Sequence, residues 1–71
     1  MQKALAFALI QIMSDGRQVI RVVNLGWTRA VANRKLALAV DSNLGDIRLA
    51  KVELDYLGMG KMENLQIVKV Y

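Results

Sequence analysis

Glu53 and Asp55 stand two residues apart in a run that otherwise reads as a strand, Asp46 to Tyr56, so both carboxylates would leave one face of it. Two acids so placed can hold a divalent ion or divide the roles of general acid and base. Lys51 shares their parity, and a solvated face with a local ion pair is the simpler account. A second acidic candidate is Asp41-Ser42-Asn43-Leu44-Gly45-Asp46, where oxygen-bearing side chains alternate before a glycine, as at the start of a calcium loop. Its glycine falls one place early, and the twelfth position counted from Asp41 is Val52, where such a loop needs a bidentate Glu. A helix cap followed by a turn accounts for the same residues.

The remaining inventory excludes more chemistry than it offers. There is no His and no Cys. That removes the Ser-His-Asp triad, the Cys-His pair, the ordinary zinc site and any disulfide. It also removes the usual proton shuttle near neutral pH. Gly58 and Gly60 lack the Lys-Ser/Thr that follows a phosphate loop, and Gly26 ahead of a helix is only a weak anion-site pattern. The chain therefore reads as a non-enzyme with no cofactor and no metal.

What remains is charge. Between Arg17 and Lys35 lie five of the ten basic residues and the only Trp, with no Asp or Glu. Cations spaced along a surface neutralise phosphates, and an aromatic among them can stack on an unpaired base. The expected nucleic-acid site is Arg17, Arg21, Trp27, Arg29, Arg34 and Lys35, merged into one positive face, with DNA and RNA as the partner classes. Each residue also has an ordinary reading. Trp27 can anchor a core, Arg21 can pair with Glu53 or Asp55 across strands, and Arg34 and Lys35 can solvate a helix. Arg29 would sit beside the positive end of that helix, a poor place for a cation unless an anion docks there.

The elements that must position these residues follow from periodicity. Leu5, Phe7 and Leu9 alternate with Ala4, Ala6 and Ala8, which suits a strand with one bulky and one small face. Ser14-Asp15-Gly16-Arg17 then predicts a tight turn, and with Val19, Ile20, Val22 and Val23 a β-hairpin pairing 3–13 with 17–24. Thr28 is a candidate N-cap for a helix over 29–43, with Ala32, Leu36, Ala39 and Val40 on its inner face and Gly45 closing it. Strands over 46–56 and 65–71 complete the order β-β-α-β-β. A phase change near Ala50 and Lys51 suggests a bulge or bend there. The fold class is thus α+β, one domain over residues 1–71, with an antiparallel sheet packed on one helix. The alternative is an all-β, five-stranded small barrel in which 36–40 and 47–54 form a second hairpin; Ala-rich 30–39 favours the helix.

At 71 residues and 55% hydrophobic, the chain carries more apolar side chains than so small a domain can bury alone. Self-association is the simplest remedy, a homodimer first. The net charge of +4 favours an anionic partner. The apolar run Ala4 to Ile10 follows a single Lys, lacks a small-x-small cleavage site and is too short for a membrane span, so the expected setting is cytoplasmic. An assembly or protein-interaction module is the competing class, resting on the apolar excess, the terminal strand and the methionines Met59 and Met62.

Overall fold

The computed structural model describes residues 2–71. Its elements run β1 (Gln2–Ile12), β2 (Gln18–Asn24), α1 (Arg29–Asp41), β3 (Asp46–Gly58) and β4 (Lys61–Val70). The four strands form one antiparallel sheet in the order β2-β1-β3-β4, and α1 packs over β1 and β3. This is the α+β arrangement; residues 29–41 are helical, so the all-β alternative does not form.

Turn chemistry sets both hairpins. In the first, Met13 N donates to Arg17 O at 2.8 Å and Gly16 N donates to Met13 O at 2.9 Å. Gly16 takes the left-handed conformation at φ 88°, which has no Cβ penalty there. In the second, Met59 and Gly60 have φ 53° and 78°, the two positive values that a two-residue mirror-image turn requires. Met59 projects from that turn, 98% exposed.

Partners across a ladder share a face, so the register sorts the side chains. Leu9 opposite Leu49, Gln11 opposite Ile47 and Phe7 opposite Lys51 lie on the helix-bearing face. Leu9, Ile47 and Leu49 form a core with Ala32, against which Phe7, Trp27, Leu36 and Ala39 pack. The small Ala32 lets the helix approach the sheet closely. The opposite face carries Ala6, Ala8, Ile10, Ala50, Val52 and Leu54, all buried although the helix is on the other side. Their cover includes residues of the edge strands: Ile20 and Val23 from β2, and Ile67 and Val70 from β4, stand opposite Ile10, Ala8, Val52 and Ala50. Bulges in the β1–β2 and β3–β4 ladders add the bend that folds the edges over this face.

The irregularity expected near Ala50 and Lys51 is present on the β4 side, where the β3–β4 register shifts between Lys51 and Val52 and Val68 is the extra residue, while the β1–β3 ladder runs without a shift from Gln2–Tyr56 to Ile12–Asp46. The same point marks where the helix ends its cover: Ile47 and Leu49 are buried under α1, while Val52 and Leu54 are buried on the other face. Three local expectations change. The helix stops at Asp41 and is closed by Ser42, whose N–H and Oγ both donate to Leu38 O, with Asn43 left-handed at φ 55°. Gly45, at φ 104°, instead turns the chain into β3. Val40 is exposed rather than inward. The last strand begins at Lys61 instead of Leu65.

Candidate nucleic-acid interface

The hairpin tip places Arg17 where Asp15 claims it: Arg17 Nε donates to Asp15 Oδ2 at 2.6 Å, and the Arg17 N–H donates to Asp15 Oδ1 at 3.0 Å. Arg21 is the extra residue of the β2 bulge, flanked by Ile20 opposite Ile10 and Val22 opposite Leu9. The bulge re-aims its side chain onto the helix-bearing face, where Nε donates to Gln11 Oε1 at 2.9 Å. A neutral amide leaves that guanidinium charge uncompensated. The expected cross-strand pairing of Arg21 with Glu53 or Asp55 does not occur, because β1 lies between β2 and β3. Lys3 takes both acids, with Nζ 3.5 Å from Glu53 Oε1 and 3.3 Å from Asp55 Oδ1. The expected local partner of those acids, Lys51, points elsewhere.

Lys51 is part of the densest cationic group in the fold. Thr28 caps α1 by accepting from Val31 N at 3.2 Å, which sets Arg29 at the first helical position. From there its guanidinium carbon lies 4.0 Å from the centre of the Tyr71 ring and 6.0 Å from that of Phe7. Tyr71 is held beside β3 by its N–H, which donates to Leu49 O at 2.9 Å. Lys51 Nζ lies 5.0 Å from the Phe7 centroid, and Lys69 Nζ lies 4.8 Å from the Tyr71 centroid. Lys51 and Lys69 are direct ladder partners. Three cations thus surround two rings whose centroids are 6.3 Å apart. The rings' negative faces offset part of the repulsion, at about 0.5–1 kcal/mol per exposed contact.

Among the described residues, ion pairs engage only Lys3, Arg17 and Arg48, the last with Asp46 at 2.9 Å. Arg21, Arg29, Arg34, Lys35, Lys51 and Lys69 therefore face solvent without a carboxylate partner among those residues, on the helix side of the sheet. Lys35 precedes Ala39 by one turn; Ala39 lines a cleft with Arg21 and Val22, so Lys35 lies along the β2 flank of α1. Arg29 lies roughly 120° away around the helix, on the β4 flank. Arg34 is on the outer side. The cations share one side of the molecule, in two flanking groups rather than one strip.

Trp27 is half-buried and packs against the Leu9 core, which makes it an anchor in this fold. Phe7, Lys51, Lys69 and Tyr71 were not legible as site residues. Lys69 and Tyr71 are far from Arg29 in sequence, and only the β3–β4 pairing brings them there. The acidic candidates resolve structurally. Asp55, 8% exposed, accepts from Asn64 Nδ2 at 2.9 Å and pairs with Lys3. Those two contacts, Asn64 first, hold its carboxyl below the usual range against the opposing effect of burial. Among the described residues no group of three His, Cys, Asp or Glu is placed to hold a metal ion, and no helix is long and apolar enough to cross a membrane.

No protein-family model, curated protein or solved structure matches this chain.

Proposed function

We propose that the protein is a small, non-enzymatic nucleic-acid-binding protein that acts as a homo-oligomer and contacts phosphates with the helix-bearing face. The observation that supports this most is the gathering of Arg29, Lys51 and Lys69 around Phe7 and Tyr71, with no carboxylate partner among the described residues. Three like charges held together cost free energy in the isolated chain, and a phosphate among them reverses the sign of that term. Arg29 adds a second argument. It stands at the positive end of α1, with no acid in the first turn to balance it. Arg21 and Lys35 extend the surface across the β2 flank. Arg17 lies at the edge, and its pairing with Asp15 leaves it little to add.

Readout is through the backbone of DNA or RNA, because both rings at the centre of the cluster already carry cations and Trp27 belongs to the core. The test is a salt titration of binding to fluorescent oligonucleotides by anisotropy. Each phosphate contact contributes a slope of about −0.9 in log K against log salt for duplex DNA. Lys51→Ala with Lys69→Ala is expected to flatten the slope by about 2, and Arg17→Ala to leave it nearly unchanged. Wild-type protein with no salt-dependent binding removes the reading.

The competing class, an assembly module without a polyanion partner, draws on Leu38, Val40 and Leu44, all exposed on or just after α1. The same titration separates the two.

A further inference from the structure

We infer that the solvent side of α1 is the contact between two copies of this chain, arranged antiparallel about a two-fold axis beside Leu38, with Arg34 of each copy opposite Asp41 of the other. The inference rests on the homo-oligomer part of the proposed function and not on its nucleic-acid part.

The stripe is unusual for a surface helix. Arg34, Leu38 and Asp41 follow the i, i+4, i+7 spacing, so they lie within roughly 60° of one another around the axis, on the side away from Ala32, Leu36 and Ala39. Leu38 is 62% exposed, and one turn to either side stands a charge of opposite sign. Among the described residues neither Arg34 nor Asp41 has an ion pair. The helix also fails the ordinary amphipathic pattern, with Ala30, Ala37, Leu38 and Val40 all exposed. Ala30 and Ala37 lie beside the stripe around the axis and add apolar surface to it.

A two-fold contact is self-complementary: whatever residue i meets on the second copy, that residue's twin meets i on the first. Leu38 lies between Arg34 and Asp41, about 6 Å along the axis from one and about 4.5 Å from the other. An antiparallel crossing at Leu38 therefore stacks the two leucines and brings both Arg34–Asp41 pairs together at once. A parallel crossing would set Arg34 against Arg34. Asp41 carries a further argument, since it stands at the negative end of α1, where an acid is disfavoured unless a cation approaches. The opposite face of the sheet offers less, because Ile10, Val52 and Leu54 are already fully buried within one chain.

The test uses charge reversal with nuclease-treated protein, reading mass by size-exclusion chromatography with light scattering at several concentrations. Wild type is expected at twice the 7.9 kDa chain mass. Arg34→Glu and Asp41→Arg are each expected to run as folded monomers with unchanged circular dichroism, since like charges meet at both contacts. Mixing the two variants is expected to restore the dimer, because each contact of the mixed pair again joins one acid to one arginine. A wild-type monomer would overturn both the homo-oligomer reading and this surface. A wild-type dimer that survives both single reversals, or two variants that stay apart when mixed, would overturn this surface and leave the homo-oligomer reading standing.

Discussion

Lys51 and Lys69 stand directly opposite each other on the β3–β4 ladder, two like charges on one face of the sheet, each near an aromatic ring. Such a pair costs a few tenths to about 1 kcal/mol in a sheet. The cost is local, and a bound anion is what would offset it.

Replacing one member therefore separates stability from binding. Lys69→Glu creates a cross-strand ion pair with Lys51 and loses the contact with Tyr71, two terms of about 0.5–1 kcal/mol and opposite sign. The expected thermal midpoint is within a few degrees of wild type, while oligonucleotide affinity falls at least tenfold at low salt. Thermal melts and anisotropy on the same sample check both.

Trp27 makes the reverse case. It packs against the core containing Leu9 and Leu49. Trp27→Ala is expected to destabilise by about 3–5 kcal/mol, near the range for a buried aromatic. Trp27→Phe is expected to keep nucleic-acid affinity, and Trp27 emission should change little on binding. Strong quenching by oligonucleotide would contradict the anchoring role.

The helix-free face should behave as a true core. Leu54 is 0% exposed there, and Leu49 is 2% exposed beneath the helix. Leu54→Ala and Leu49→Ala are each expected to cost about 2–5 kcal/mol in denaturant unfolding. A negligible cost at Leu54 would mean that the edge strands do not close over it.

Acid stability should depend on Asp55. Its carboxyl is held low by the hydrogen bond from Asn64 and then by Lys3, so the folded state prefers the ionised form. The sign follows: this contribution is present above the unfolded value of about 3.9 and is lost as pH falls through the lower folded value. Lys3 is shifted up by the same pair, so its share is present at neutral pH and lost only at alkaline pH above its unfolded value. Asp55→Asn or Asn64→Ala is expected to flatten the acid limb of stability against pH, followed by circular dichroism.

The sequence alone determined the elements. Asp15-Gly16 called for a turn that Gly16 can make, Thr28 supplied a cap, the Ala-rich segment after it was helical, and alternation placed Phe7 and Leu9 on one face of β1. These are local matters, fixed by steric limits on φ and by hydrogen bonds a few residues long. It also fixed the absence of His and Cys, and with it the narrow chemistry of the chain. Which residues meet depended on how the strands lie in the folded chain. The strand order put Lys3, not Arg21 or Lys51, on Glu53 and Asp55; the β2 bulge turned Arg21 toward Gln11; and the β3–β4 pairing carried Lys69 and Tyr71 to Arg29. Those contacts join residues from ten to about fifty positions apart, and no local pattern encodes which strand lies beside which. The basic stretch was visible in the sequence, but its electrostatic centre lay half outside it, because charge acts through space and the chain had first to fold to bring Lys51 and Lys69 within reach.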